Sequence, residues 1–121
     1  MKILYWITSI LLLSVTLTGC HQEKKWRIGV SQCSSDDWRD KMNGEIDREM
    51  LFHEDAEVEI RSADDNCRRQ IDDLRYFANN GFDIIIVSPN EADSLTPVIK
   101  EIYDRGIPVI IFDRNIYGDS Y

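Results

Sequence analysis

Two short runs of consecutive apolar residues constrain the fold of this chain more than any other feature. Residues 83–87 contain four β-branched residues in succession, Ile84 to Val87, and residues 108–112 form a second such run. Each run is too short for a helix, and neither has a polar face. A parallel strand that is covered on both faces has this character. The two runs therefore predict two buried strands of a parallel sheet.

Strand-like and helix-like patterns alternate around these runs. Residues 27–31 predict a first strand, and residues 57–61 alternate charged and apolar side chains, which indicates a strand near a sheet edge. Apolar residues at helical spacing predict three helices. Their stripes are Trp38, Met42, Ile46 and Met50; Cys67, Ile71, Leu74 and Ala78; and Leu95, Val98, Ile99, Ile102 and Tyr103. Residues 64–66 can cap the second helix, Asn90 can cap the third, and Pro97 is expected in or near the first turn of the third.

The resulting order is βαβαβαβ, which predicts an α/β fold with a three-layer open parallel sheet and right-handed crossovers. Ligands of such sheets bind beyond the carboxyl ends of the strands, near a switch point in strand order. The segments to consider are residues 31–37, 62–66, 88–91 and 113–115.

Composition excludes several classes of function. The 121 residues suffice for one small domain, and the formal net charge of -8 disfavours binding to nucleic acid. No glycine-rich nucleotide-binding motif follows a strand, and a receiver domain would need an aspartate where Ser88 stands. We therefore expect no catalytic residues and no cofactor. No Cys-x-x-Cys motif or tight Cys/His cluster points to a metal site.

The amino terminus has the pattern of an export signal. Lys2 is followed by an apolar run from Ile3 to Leu17, which is short for a transmembrane helix. Leu17-Thr18-Gly19-Cys20 resembles the bacterial lipobox, so residues 1–20 are interpreted as a signal peptide and Cys20 as the lipidated residue. A plain signal peptide, or an uncleaved anchor with an incidental cysteine, is the alternative. Residues 21–25 form a short polar tether.

Three segments resemble the type I periplasmic binding proteins, the ribose-binding and LacI-like superfamily. They are Arg27-Ile28-Gly29-Val30-Ser31 with the later Trp38, the segment 81–90, and the segment 106–114. The loop from Val30 to Arg39 is similar to the sugar-sensing domains of hybrid two-component sensors in Bacteroides-type bacteria. The resemblance implies that residues 26–121 are an incomplete N-terminal lobe of a periplasmic sugar-binding domain, which full-length sensors join to a downstream histidine kinase.

The same resemblance sets the expectations for function. The chain is expected to bind a small carbohydrate as the fragment of a sensor, and the alternative is the substrate-binding lipoprotein of an ABC-type sugar importer. The expected location is the periplasm, with membrane association through the lipid anchor or the N-terminal segment. No nucleic-acid partner is expected, and a homodimer of the full-length protein is compatible with the resemblance.

Candidate ligand contacts lie at the ends of the first and fourth strands. In the family, the Asp-Arg pair after the fourth strand binds sugar hydroxyls, and this role is carried over to Asp113 and Arg114. A carboxylate accepts hydroxyl hydrogens, a guanidinium donates several, and an aromatic ring such as that of Trp38 covers the apolar sugar face. Trp38 also begins a regular apolar stripe, so it could instead belong to the core.

Four further residues near the first strand are weaker candidates. Asp37 and Arg39 flank Trp38 and can reach a hydroxyl, or they can be an ordinary charged first helical turn. Ser31 and Gln32 can add hydrogen bonds, or be polar loop residues satisfied by the protein itself.

Two cysteines beyond the signal leave two interpretations open. Cys33 and Cys67 can form a disulfide in an exported protein if their Cα atoms come within about 7 Å, or they can be buried free thiols.

Overall fold

The computed structural model describes residues 24–119 and residue 121. Within them the strands are β1 (Trp26–Gln32), β2 (Ala56–Ser62), β3 (Ile84–Ser88) and β4 (Val109–Ile111). The helices are α1 (Asp37–Met50), α2 (Cys67–Asn79) and α3 (Ala92–Asp104). The expected signal peptide, the lipidation site Cys20 and most of the tether lie outside the described residues. No helix between residues 24 and 119 has the length and apolar character needed to cross a membrane.

The strands form one parallel sheet in the order β2-β1-β3-β4. The predicted α/β fold and its βαβαβαβ order are confirmed. The alternating charges of residues 57–61 predicted a strand near an edge, and β2 lies at an edge of the sheet. The unbroken apolar run of β3 predicted a buried strand, and β3 lies inside the sheet. Strand order changes direction at β1 and β3, which are direct neighbours although β2 separates them in the chain. Their carboxyl ends therefore flank the switch point where such folds bind ligands.

Helices cover both faces of the sheet. On one face, α2 and α3 pack together, and Phe77 of α2 lies directly over Gly29 of β1. On the other face, α1 packs against β2, and Asn43 of α1 hydrogen-bonds Gln32. Because neighbouring side chains along a strand point to opposite faces, Gly29 and Ser31 face α2, while Val30 and Gln32 face α1.

The principal apolar core lies between the sheet and α2 with α3. Its buried members are Leu74, Phe77, Ala78, Phe82, Ile85, Val87, Leu95, Val98, Ile99, Ile102, Val109 and Ile116. The predicted stripe of α3 is confirmed except at Tyr103, whose side chain is exposed at the helix end. In α2 the predicted Leu74 and Ala78 are buried, whereas Cys67 and Ile71 are only partly covered.

The stripe predicted for α1 is not a core stripe. Met42, Ile46 and Met50 are half-buried, and Trp38 is exposed. The buried side chain of this helix is Arg39, because the first turn of α1 runs over the polar carboxyl ends of the strands rather than over an apolar face.

The helix α3 begins at Ala92, so Pro97 lies early in its second turn, near the first turn as expected. A proline there leaves only one carbonyl without its helical partner. Two further expectations need correction. Glu91 rather than Asn90 precedes this helix as its N-cap. The fourth strand was predicted to be buried. Among the described residues, however, β4 has β3 as its one neighbour, and Ile110 is 47% exposed because none of the described helices covers it on the side of α1.

Candidate ligand-binding cleft

An open cleft of about 730 Å³ lies at the carboxyl ends of the strands, beside the switch point. Its lining consists of Asp36, Asp37, Trp38, Arg39, Asp113 and Arg114. The structure thus brings together the predicted residues from the loop after β1 and from the loop after β4, which are more than seventy positions apart in the chain.

Local backbone geometry aims both loops at the cleft. Asp36 caps α1, since its Oδ1 accepts from the backbone N–H of Arg39 at 2.9 Å, and this cap presents the first helical turn to the cleft. Asp113 adopts a left-handed backbone conformation with φ of 67°, which turns the chain sharply after β4. Aspartate tolerates this conformation better than most residues. The turn directs Asp113 and Arg114 back toward α1.

Arg39 connects the two loops. Its Nη1 donates to Asp36, and its Nη2 donates to Asp113 Oδ2 at 2.7 Å. The same Nη2 lies 3.0 Å from Cys33 Sγ and 3.3 Å from Ser88 Oγ. The guanidinium is therefore shared between the first and fourth strand ends, and its side chain is only 6% exposed. Arg39 forms the floor of the cleft rather than projecting into it.

The charges in this floor stabilise one another. Backbone and side-chain hydrogen bonds from Arg39 lower the pKa of Asp36 below its ordinary value, although desolvation opposes them. Burial alone would lower the pKa of Arg39, but the hydrogen bond to Asp36 and the nearby carboxylates of Asp36 and Asp113 raise it overall. Arg39 is therefore a permanent cation, and Asp36 is an anion down to low pH.

Asp113 retains acceptor capacity toward the open side of the cleft. Its Oδ2 accepts from Arg39 and from Ser88 Oγ at 3.1 Å, which holds the carboxylate in one orientation. The side chain is 33% exposed, and Oδ1 has no protein donor among the hydrogen bonds of the described residues. A carboxylate with one oxygen held and the other open is suited to accept a hydroxyl hydrogen.

Trp38 and Arg114 complete the wall of the cleft. The Trp38 side chain is 55% exposed, and its ring centroid lies 5.5 Å from the Arg39 guanidinium. Arg114 Nη1 donates to the Asn90 carbonyl at 3.1 Å, which leaves its other N–H groups for a ligand. An apolar ring face, an acceptor and a multiple donor therefore surround one volume.

A buried glutamine supports the Arg114 side of the cleft. Gln70 Nε2 donates to the Ser88 carbonyl at 2.8 Å and to Ser31 Oγ at 3.2 Å, while its Oε1 accepts from the Asn90 backbone N–H at 2.8 Å. This side chain ties the loop after β3 to the end of β1. The Asn90 carbonyl that receives Arg114 is held in place by this contact.

Two predicted contacts lie away from the cleft. Ser31 is fully buried against Gln70, and Gln32 is buried with its Nε2 donating to Asn43 Oδ1 at 2.6 Å. Both side chains are satisfied within the protein and do not line the cleft. Ligand contact by Asp113, Arg114, Trp38, Asp37 and Arg39 stays a prediction.

Three residues that shape the site were not among the predicted ligand contacts, although two of them lie in the segments that the sequence pointed to. Asp36 could have been identified as a helix cap, since it precedes the predicted helix. Ser88 directly follows the strand predicted over residues 83–87, but only the structure shows that it hydrogen-bonds Asp113. Nothing in the local pattern marks Gln70, because its three partners come from distant segments.

The two cysteines of the described segment are free thiols. Cys33 is buried beside Ser88 and Arg39, whereas Cys67 is half-buried at the start of α2. Burial raises the pKa of the Cys67 thiol, and the neighbouring Glu91 adds to this effect. Of the two interpretations left open, the structure therefore agrees with free thiols.

Comparison with known proteins identifies the family. A family model described as "Periplasmic binding protein domain" matches residues 28–121. The fructose-binding periplasmic domain of the hybrid two-component system BT1754 is 52% identical, with a TM-score of 0.78 over 79% of this chain and 32% of the other. An ABC transporter solute-binding protein from Bacillus halodurans C-125, solved with bound myo-inositol, is 26% identical, with a TM-score of 0.74 over 81% of this chain and 34% of the other.

A curated relative gives the same result over a shorter segment. The D-xylose-binding periplasmic protein of Escherichia coli strain K12 is 33% identical over 61 residues, which are 50% of this chain and 18% of that protein. The chain thus spans about a third of the length of the solved structures it matches and under a fifth of this relative. The match to the family model over residues 28–121 covers most of the sequence, and the chain belongs to the periplasmic binding protein domain family.

Proposed function

We propose that this chain is part of the first lobe of a periplasmic domain that binds a small carbohydrate. The observation that carries the proposal is the convergence of Trp38, Asp113 and Arg114 on one open cleft at the switch point of the sheet. Sugars combine paired hydroxyl groups with weakly apolar ring faces. The cleft offers an aromatic face, an oriented carboxylate and a guanidinium, which match these two properties.

Fructose is the first ligand to test. The fructose-binding domain of BT1754 shares 52% of its residues with this chain over the aligned part. Other relatives were solved with, or are named for, myo-inositol and D-xylose. All three ligands are small molecules with several hydroxyl groups, so the class of ligand is better supported than the individual sugar.

A second lobe is expected to complete the pocket. The cleft is open to solvent, and this chain covers only 32% of the fructose-binding domain that it matches. In a complete domain, two lobes would close around the sugar by a hinge motion. A single lobe leaves water around the bound sugar, and this weakens each hydrogen bond. We therefore expect only weak binding by these 121 residues.

The role of the domain is proposed to be sensing rather than transport. The identity to a hybrid two-component system and the loop from Val30 to Arg39 favour a sensor. The lipobox-like segment ending at Cys20 and the similarity to an ABC transporter protein favour an importer lipoprotein. Sequencing the DNA beyond the codon for Tyr121 would decide between them. A second lobe followed by a transmembrane helix and kinase motifs indicates a sensor, whereas a stop codon after the second lobe indicates an importer.

The binding proposal is tested by titrating the chain with sugars. The indole N–H resonance of Trp38 is the reporter, and fructose, D-xylose and myo-inositol are added to about 100 mM, because weak sites show millimolar dissociation constants. We expect fructose to shift this resonance and Asp113→Ala to abolish the shift. Asp47→Asn, an exposed carboxylate of α1 remote from the cleft, is the matched control and should leave the titration unchanged.

Two results would contradict this proposal. A Trp38 signal that no sugar moves would remove the assigned cleft. Sub-micromolar affinity of these 121 residues would show that no second lobe is needed.

A further inference from the structure

Three large apolar side chains are exposed at the end of the molecule opposite the cleft. Trp26 begins β1 and is 59% exposed, while Leu51 and Phe52 follow the end of α1 and are 79% and 77% exposed. We call these three residues the apolar pole. The proposed sugar site uses none of them, and the described core does not include them.

The fold places the three residues on the same side of the sheet. The Trp26 N–H donates to the Asp55 carbonyl at 2.8 Å, so the start of β1 adjoins the turn that follows α1. Gly29 lies under Phe77 of α2, and Trp26 is three positions earlier in the strand, so its side chain is on the opposite face, the face of α1. The ring of Trp26 and the end of α1 therefore occupy the same side of the sheet.

The basic side chains of Lys24 and Arg27 near the apolar pole are paired with carboxylates. Lys25, Glu54 and Asp55 are exposed and form no ion pair among the described residues. The whole chain carries a net charge of -8, which would repel an anionic surface. An uncharged surface that accepts tryptophan and phenylalanine is the better match, and the headgroup region of a zwitterionic bilayer has this property.

The length of the preceding chain brings this end of the molecule to the membrane. Five residues lie between Cys20 and Trp26, and even when this segment is fully extended the two Cα atoms are only about 20 Å apart. A lipid on Cys20, or an uncleaved N-terminal anchor, would keep the start of β1 within this distance of the bilayer. The cleft, at the other end of the seven-residue β1, would then face away from the membrane.

We propose that the apolar pole, formed by Trp26, Leu51 and Phe52, rests on the zwitterionic headgroup layer of the membrane and orients the cleft toward the periplasm. This inference depends on the membrane anchoring expected from the amino-terminal sequence, but not on the identity of the sugar. Tethering raises the effective concentration of a weak surface contact, so three side chains suffice.

The test uses the full chain, expressed with its export signal and reconstituted in phosphatidylcholine–phosphatidylethanolamine vesicles. Some of the lipids carry bromine on the upper acyl chain, which quenches nearby tryptophan. In a Trp6→Phe background, Trp38→Phe leaves Trp26 as the reporter, and Trp26→Phe leaves Trp38. We expect bromolipid to quench the Trp26 reporter about twofold or more and the Trp38 reporter hardly at all.

A surface variant separates contact from tethering. Leu51→Ser with Phe52→Ser changes only exposed side chains, so its circular dichroism melt should match that of the parent. Vesicle flotation should also be unchanged, while quenching of Trp26 should fall severalfold.

Three outcomes would overturn the proposal. These are absence of the protein from floated vesicles, equal quenching of the two reporters, and self-association of the chain in solution that the double serine variant abolishes. The last result would assign the apolar pole to a second copy of the chain. Since sugar titrations do not depend on vesicles, failure here leaves the proposed sugar site standing, and failure of the sugar titration leaves this test intact.

Discussion

Substitution of Gly29 by alanine should destabilise the protein through a single identifiable clash. A Cβ atom on Gly29 would lie 2.6, 2.8 and 2.9 Å from three ring carbons of Phe77, whereas carbon atoms in contact prefer about 3.5–4.0 Å. The ring would have to recede by about 1 Å. Phe77 is fully buried, and its centroid lies 4.7 Å from that of Phe82 and 5.8 Å from that of Tyr76, so it has little room to move.

The expected cost is that of overpacking a close-packed core, about 1–3 kcal/mol. For a domain of about 100 residues each kcal/mol corresponds to about 4–8 °C in Tm. Thermal and urea unfolding followed by circular dichroism would measure both quantities. Gly44→Ala is the matched control, because this glycine lies in α1 with nothing within 4 Å of the new methyl group. It should raise stability by about 0.5–1 kcal/mol, since alanine suits a helix better than glycine does.

A double variant tests the mechanism itself. Phe77→Ala removes the three ring atoms that the Gly29 methyl group would meet, so the two substitutions together should cost less than the sum of their separate costs. A Gly29→Ala protein that melts with the parent would refute the argument. Additive costs in the double variant would show that the clash is not with Phe77.

Two further predictions concern charged groups. Hydrogen bonds from Lys24 and from the Arg27 backbone lower the pKa of Asp83 below its ordinary value of 3.8, so its ionised form stabilises the fold above about pH 4, and this stability is lost as the pH falls through the lowered pKa. Asp83→Asn should therefore lower Tm at pH 7, and the difference in Tm between variant and parent should become smaller below pH 4. Melting curves recorded over a range of acidic pH values would measure this difference, and a difference that stays constant at every pH would contradict the prediction. Arg39→Lys should keep the fold but weaken the sugar-induced shifts of the Trp38 resonance, because a lysine cannot hold Asp113 and its second carboxylate partner together as the planar guanidinium does. Unchanged shifts would show that Arg39 does not position the Asp113 carboxylate.

The sequence alone determined the elements and their order. Runs of β-branched residues, helical stripes and capping residues are local patterns that can be recognised in the sequence. The structure agrees with three predictions made from them: β2 is an edge strand, β3 is an inner strand, and Asn66 caps α2. Parallel strands end at one side of the sheet, so the meeting of the loops after β1 and β4 also followed from the order of elements.

Tertiary structure decided which side chains point into the cleft and which are enclosed. In the sequence, Arg39 is simply one of the charged residues in a first helical turn. In the structure it is buried because four residues surround it, and three of these lie at the ends of β1, β3 and β4; the four are Asp36, Cys33, Ser88 and Asp113. Sequence periodicity tells which side chains share a face, but it does not tell what covers that face.

The same reason explains the placement of Ser31 and Gln32. Their positions at the end of β1 made both candidates for ligand contact, but Gln70 from α2 and Asn43 from α1 satisfy them inside the protein. Ile110 was instead predicted to be buried, because it lies in an apolar run, but its side chain is exposed because no described element covers it. Burial and hydrogen bonding depend on segments that are distant in the chain, and only the folded arrangement brings those segments into contact.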